Sequence, residues 1–135
     1  MLDRNRLRAL AGLGGEGFAR ELLETFLTES AGDVTRLRLV ATLEDLARFM
    51  RIAHGVRITS QQIGAEALAQ ALIELEDRAR NLTMEDFLVT PGKPYRGVEK
   101  IMQALQEVDD ELERLRLDAN SWLSERVAEP VGTQN

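Results

Sequence analysis

The chain has 135 residues, enough for one domain with a single hydrophobic core, and its 44% hydrophobic and 30% charged residues are typical of a soluble helical protein. The net charge of −6 argues against nucleic acid or an anionic membrane as a partner, because the summed field repels phosphate groups. The absence of cysteine excludes disulfides, thiolate catalysis and cysteine-based zinc sites, and no apolar run is long enough to span a bilayer, so we expect a cytoplasmic protein with no direct membrane contact.

Two helices are predicted before residue 42. Leucines recur at helical spacing at residues 7–13 and are followed by a glycine-rich turn, which predicts a brief first helix. The pattern restarts at Glu16 and continues to Val40, which predicts one long helix. The core face of this helix is expected to carry Phe18, Leu22, Leu23, Phe26, Leu27, Val34, Leu37 and Val40.

A third helix carries the most informative pattern. Thr42 and Asp45 resemble a capping box, so we expect this helix to begin there, and Gly64 is well placed to end it. The positions expected on its buried face advance by alternate steps of three and four, which is the spacing of a helix packed in a bundle. These positions are Leu46, Phe49, Ala53, Val56, Ser60 and Ile63.

Two further helices are predicted after this one. A fourth helix begins at Ala65, directly after Gly64, and so short a join implies an antiparallel hairpin. Residues 81–97 are irregular because prolines and glycines interrupt any helical pattern there. A last long helix is then predicted from the apolar positions between Val98 and Trp122.

The order of these elements predicts the fold class. Four long helices joined by mostly short turns, with no strand pattern, indicate an all-α protein, an antiparallel four-helix bundle with a short extra N-terminal helix. We expect a single helical domain at residues 1–127 and a disordered C-terminal tail at residues 128–135, where the sequence turns polar.

His54 is the only histidine of the chain and the candidate reactive group. An imidazole can act as a neutral nucleophile near pH 7. The residue lies one position off the buried face of the third helix, so its ring is expected at the edge of that face and within reach of solvent. Five other side chains share its side of the helix on the neighbouring turns, namely Met50, Arg51, Arg57, Ile58 and Gln61.

The segment from Ala53 to Ala65, AHGVRITSQQIGA, resembles the signature of histidine-containing phosphotransfer (HPt) domains, which reads roughly A-H-x-L-K-G-S-[SA]-x-x-[LI]-G-A. The resemblance covers roughly residues 7–80, and the stretch around Glu76 resembles the "LE..AR" pattern of the helix that follows in this family. The matching positions are His54 on the phosphoacceptor, Val56 on the apolar position, Arg57 on the basic position, Thr59 and Ser60 on the small hydroxyl pair, and Ile63, Gly64 and Ala65 on the ending.

The resemblance implies a role in a two-component phosphorelay. His54 would accept a phosphoryl group from the aspartate of a response-regulator receiver domain and pass it to another receiver. Arg57 would offset the phosphoryl charge, and Glu76 or Gln61 would orient the imidazole through its second ring nitrogen. Receivers would dock on the surface formed by Met50, Arg51, Ile58 and Gln61.

The expected partners are receiver domains and a hybrid histidine kinase. We expect no cofactor of the chain's own, because Mg²⁺ would come with the receiver. The chain also has no glycine-rich nucleotide loop, so it is expected to be a phosphoryl carrier and not an independent catalyst that uses ATP. A charged beginning and a polar end fit the C-terminal domain of a hybrid sensor kinase, located on the cytoplasmic side of a membrane-bound protein, and fit a free-standing protein equally.

Two positions depart from the family pattern. Arg57 stands where lysine is usual, which keeps the charge and adds a fork of donors suited to phosphate oxygens. Ile58 stands where the family prefers glycine, and its branched side chain fills space beside His54 that a partner would need.

Two alternatives therefore stay open. One is a bundle of the same fold that binds a receiver or another signalling protein without being phosphorylated, and Ile58 favours it. The other is a metal-binding bundle, which the composition disfavours, since one histidine and no cysteine leave only carboxylates as further ligands.

Overall fold

Helices make up nearly all the regular structure in the residues that the computed structural model describes, which are 2–42, 45–88, 91–92 and 96–128. No strand occurs among these residues. The helices are α1 (Arg4–Gly14), α2 (Glu16–Thr42), α3 (Leu46–Ile63), α4 (Glu66–Arg80) and α5 (Gly97–Ala128), with a short 3₁₀ helix at Met84–Phe87 between α4 and α5. None of the described helices combines the length and the apolar composition that crossing a membrane requires.

The four long helices close into a bundle, as predicted. Helix α2 packs against α3 and α5, helix α4 packs against the same two helices, and α1 lies on α2. Helices α2 and α5 run in opposite directions, because Arg20 near the start of α2 donates to the carbonyl oxygen of Leu123 at 3.0 Å while Arg38 near its end pairs with Asp109. The largest fully buried side chains include Leu23, Leu37, Phe49, Leu72, Leu75, Leu105 and Trp122.

Two expectations about helix α2 and its end are wrong. Thr42 is the last residue of α2 and does not begin α3; Asp45 is the N-cap of α3 instead, and its carboxylate accepts the backbone N–H of Arg48 at 3.1 Å. Phe18 and Leu22 are 40% and 36% exposed, because they lie about 110° and about 70° around the helix from the centre of the stripe that faces the core. That stripe consists of Ala19, Leu23, Phe26, Ser30 and Leu37.

The predicted tail at residues 128–135 lies outside the described residues, apart from Ala128, at which α5 ends. The predicted domain boundary after residue 127 therefore stays a prediction.

Gly64 ends α3 in the left-handed conformation that the sequence suggested, with φ at 84°. Its carbonyl oxygen accepts the backbone N–H of Asp3 at 3.0 Å, so the start of α1 lies against the turn between α3 and α4. A Cβ atom at this position would lie 2.9 Å from the Cβ atoms of Asp3 and Arg6. The turn therefore requires glycine for its conformation and for the close approach of α1.

Gly64→Ala is expected to lower the free energy of unfolding by at least about 1–2 kcal/mol, because alanine is strained at positive φ and its Cβ meets α1. Urea unfolding followed by circular dichroism measures this change. Gly55→Ala is the matched control, since Gly55 lies inside α3 with open space around its Cα, and alanine there is expected to stabilise the helix by about 0.5–1 kcal/mol. Equal effects of the two substitutions would contradict the role of Gly64.

The buried carboxylate of Asp86 attaches the 3₁₀ helix to α5. Its Oδ2 atom accepts the backbone N–H of Thr83 at 2.8 Å and the Thr83 hydroxyl at 3.1 Å, and its Oδ1 atom lies 2.9 Å from Lys100 Nζ. The N–H of Thr83, followed by the ammonium of Lys100, lowers the pKa of Asp86 to about 2.

Acid is therefore expected to weaken this attachment. A lowered pKa means that the ionised carboxylate stabilises the folded state above the ordinary pKa of about 4, and that this stabilisation is lost as the pH falls from about 4 to 2. Asp86→Asn should be less stable than the wild type at pH 7 and equally stable near pH 2, as measured by urea unfolding across this range. A stability difference that does not change with pH would contradict the assignment.

Candidate functional site

His54 lies at the middle of α3, at the edge of the face that α3 turns towards the core. The side chains that were predicted to be buried along this face are buried, except that Leu46 in the first turn is only half-buried. The His54 side chain is 55% exposed. The buried members of the face are Phe49, Ala53, Val56, Ser60 and Ile63.

Glu76 extends from the neighbouring helix α4 to the underside of the His54 ring. It is one of few buried charged side chains among the described residues, with 4% of its surface exposed. Its Oε2 atom accepts the Nε–H of Arg57 at 2.7 Å, and its Oε1 atom lies 3.3 Å from His54 Nδ1. A buried carboxylate is costly unless it is paired, so the ion pair with Arg57 explains how Glu76 is tolerated there.

Arg57 contacts the other three polar side chains of the site, Glu76, His54 and Gln61. Its side chain is 20% exposed, and each of its three nitrogen atoms has a different neighbour. Nε donates to Glu76, Nη2 lies 2.7 Å from His54 Nδ1, and Nη1 donates to Gln61 Oε1 at 3.4 Å. The planar fork of the guanidinium allows these contacts together, which a single ammonium group could not reproduce in the same geometry.

The two residues suggested for orienting the imidazole are placed differently. Glu76 reaches the ring directly, whereas the described contact of Gln61 is with Arg57 and not with His54. Gln61 therefore holds the guanidinium from the side away from Glu76.

The predicted docking residues surround the ring on the outer side of α3. Arg51 is exposed, Ile58 is 38% exposed, and Gln61 is half-buried. Met50 is half-buried and packs against the core, so only part of it is accessible. The structure thus leaves an accessible surface on both sides of His54 along the helix.

A groove between α2 and α3 beside His54 was missed by sequence reasoning. Gly55 and Thr59 are among the residues of its α3 side, and Leu22, Thr25 and Phe26 are among those of its α2 side. The exposed positions of Gly55 and Thr59 could be read from the helical spacing, but the pairing of these two helix faces could not.

No three histidine or carboxylate side chains come close enough to hold a metal ion in the part of the chain that the structure describes.

Comparison with known proteins gives one match. A family model described as the Hpt domain matches residues 21–118, well over half of the chain. The matched region begins in α2 and ends in α5, and it contains His54, Arg57 and Glu76. No curated protein and no solved structure is significantly similar to the chain.

Proposed function

Since this chain belongs to the Hpt domain family, we propose that it accepts a phosphoryl group on His54 from one receiver domain and passes it to another. Hpt domains carry out histidine phosphotransfer in phosphorelays and interact with response-regulator receiver domains. The assignment of His54, and the roles of the residues around it, are the steps that we add to this family membership.

The assignment of His54 is supported by its half-exposed imidazole, which contacts neighbouring side chains through Nδ1 only among the described contacts. Both described contacts of the His54 ring, to Glu76 and to Arg57, are made by Nδ1. Nε2 is therefore the nitrogen that we assign as the phosphoryl acceptor. His54 is also the only histidine of the chain, so no second imidazole competes for this role.

The transfer step follows from this arrangement. The lone pair of Nε2 attacks the phosphorus of the receiver's aspartyl phosphate, the bond between phosphorus and the aspartate oxygen breaks, and the aspartate leaves as a carboxylate. The proton on Nδ1 is held by Glu76, and Arg57 offsets the charge of the phosphoryl oxygens. Mg²⁺ would be held by the receiver. The same steps in reverse deliver the phosphoryl group to the next receiver.

We also propose that the donor is the receiver of a hybrid histidine kinase and that the relay is cytoplasmic. The sequence has no glycine-rich nucleotide loop with which to use ATP itself, which supports a phosphorylated protein as the donor.

Incubation with phosphorylated receiver domains and Mg²⁺ tests the proposal. The expected product is phosphate on the chain that is labile in acid and stable in alkali, as a phosphoramidate is. Absence of such phosphate with every receiver tried would overturn the proposal. Binding of a receiver without phosphorylation would then support the second candidate, a bundle of the same fold that acts only by binding, which Ile58 favours because its exposed side chain lies one turn from His54.

Ile58 is expected to slow transfer by keeping the partner away from the imidazole. Ile58→Gly should raise the transfer rate about 10-fold, which corresponds to relief of about 1.4 kcal/mol in the transition state. Rapid-quench measurement of phosphoryl transfer from a receiver provides the rate. Ile58→Ala is the control for helix flexibility, because it removes the branched side chain while keeping a good helix former. An unchanged or lower rate in both variants would contradict the steric interpretation.

A further inference from the structure

Two neighbours of His54 require opposite protonation states of the same ring nitrogen, Nδ1. Arg57 Nη2 lies 2.7 Å from Nδ1, and Glu76 Oε1 lies 3.3 Å from Nδ1. A guanidinium nitrogen can only donate a hydrogen bond, and a carboxylate oxygen can only accept one. Nδ1 with a proton can therefore satisfy Glu76 but not Arg57, and Nδ1 without a proton can satisfy Arg57 but not Glu76.

The two distances indicate which of these hydrogen bonds forms in the protein without a bound receiver. The contact with Arg57 has the length of a strong hydrogen bond, whereas the contact with Glu76 is beyond the usual range for nitrogen and oxygen. A proton on Nδ1 would point into the space between the ring and a donor nitrogen 2.7 Å away. Nδ1 is therefore the acceptor in this structure, and in a neutral ring the proton lies on Nε2.

This tautomer is unreactive towards phosphorus. An Nε2 atom that carries the proton has no lone pair in the ring plane with which to attack, whereas the tautomer with the proton on Nδ1 frees Nε2. Resting on the proposed function, we infer that Arg57 sets the tautomer of His54, holding the unreactive form until an incoming phosphoryl group draws the guanidinium away and Nδ1 is released to Glu76.

The change of tautomer needs only a small movement of the Arg57 side chain. Arg57 stays anchored through Nε to the buried carboxylate of Glu76 at 2.7 Å, so only its outer nitrogens need to turn. Phosphoryl oxygens carry negative charge and are stronger acceptors than a neutral ring nitrogen. As Nη2 moves to them, Nδ1 takes a proton from solvent, keeps it and donates a hydrogen bond to Glu76, while Nε2 loses its proton to solvent through the exposed side of the ring. Attack on phosphorus and departure of the aspartate carboxylate then follow.

Arg57 therefore has a positioning role that is separate from offsetting charge. A ring that is activated only when a phosphoryl group is present is protected from reaction between transfers.

The ¹⁵N chemical shifts of the two ring nitrogens report the tautomer directly, because protonated and unprotonated nitrogens differ strongly. The measurement is made on the full chain labelled at histidine, at a pH where the ring is neutral. Wild-type protein is expected to show the proton mainly on Nε2. Arg57→Gln, which keeps an amide N–H for Glu76, and Arg57→Ala should both move it mainly to Nδ1. Arg48→Ala, which removes an exposed arginine near the start of α3 and outside the predicted docking surface, should match the wild type.

A receiver domain loaded with beryllium fluoride, a stable mimic of an aspartyl phosphate, should move the wild-type proton to Nδ1. A wild-type ring with its proton already on Nδ1, or variants of Arg57 with the wild-type tautomer, would overturn the inference even if phosphorylation succeeds. Failure of phosphorylation with the expected tautomers would overturn the proposed function and leave the control of the tautomer by Arg57 supported.

Discussion

His54→Gln is expected to remove all acid-labile phosphate from the chain after incubation with phosphorylated receivers. A glutamine amide nitrogen is not a nucleophile, and no other histidine is present in the sequence. The expected change is therefore a complete loss and not a reduced rate. The measurement compares phosphate that is labile in acid and stable in alkali on the two proteins under identical conditions.

The fold of this variant should be intact, because the His54 side chain is 55% exposed and contributes little to the core. Equal urea unfolding curves and equal helical circular dichroism would establish that the loss is chemical. Acid-labile phosphate that persists on the variant would show that the phosphoacceptor lies elsewhere.

Arg57→Gln is expected to slow phosphoryl transfer by about 100-fold, the loss typical of removing one group that stabilises developing charge in a transition state. In the reacting complex the guanidinium has moved to the phosphoryl oxygens, so its loss removes that contact. The variant gains from no longer holding the unreactive tautomer, but this gain is smaller, because the neutral ring nitrogen is a weaker acceptor than the phosphoryl oxygens. The amide of glutamine still offers a donor to Glu76, which limits the cost to the fold. Rapid-quench rates with a single receiver measure the effect.

Two control variants separate the effect of the specific Arg57 contact from the effect of surface charge. Arg57→Lys keeps the positive charge and should stay within about 10-fold of the wild-type rate, since one charge–phosphate interaction is retained. Arg48→Ala removes an exposed charge of α3 outside the predicted docking surface, where solvent and salt screen it, and should change the rate less than 3-fold, as expected for about 0.5 kcal/mol. Equal losses at Arg48 and Arg57 would indicate that the general charge of the surface matters and that the specific contact does not.

Much of the fold could be predicted from the sequence, because helical periodicity records which side of each helix is buried. The pattern along α3 predicted the face that the structure buries, and Gly64 predicted the end of that helix. The errors lie where a local pattern had two solutions. Thr42 and Asp45 have the spacing of a capping box, but the continuation of α2 through Thr42 decides that Asp45 alone forms the cap.

The site was predictable only in part. The exposure of His54 follows from its position one residue off the buried face, and the side shared with Arg57 follows from their spacing of three residues. The contact with Glu76 joins residues 22 apart in sequence and depends on how α3 and α4 cross, which periodicity does not encode. The resemblance to a family suggested Glu76. The direct contact between Arg57 and the ring, and the contact of Gln61 with Arg57 instead of His54, depend on side-chain conformations that the sequence pattern does not encode.

The contacts of α1 and of the end of α5 determine which residues a fragment of this protein must include in order to fold. The family match covers residues 21–118, but the Asp3 amide that caps the Gly64 turn lies before it, and the fully buried Trp122 lies after it. Asp118 also accepts the backbone N–H of Leu2 at 2.8 Å and pairs with Arg4, joining the two ends of the described chain. A portable module for fusion or transplantation into another relay therefore needs both flanks, because the recognisable region is shorter than the unit that folds around it.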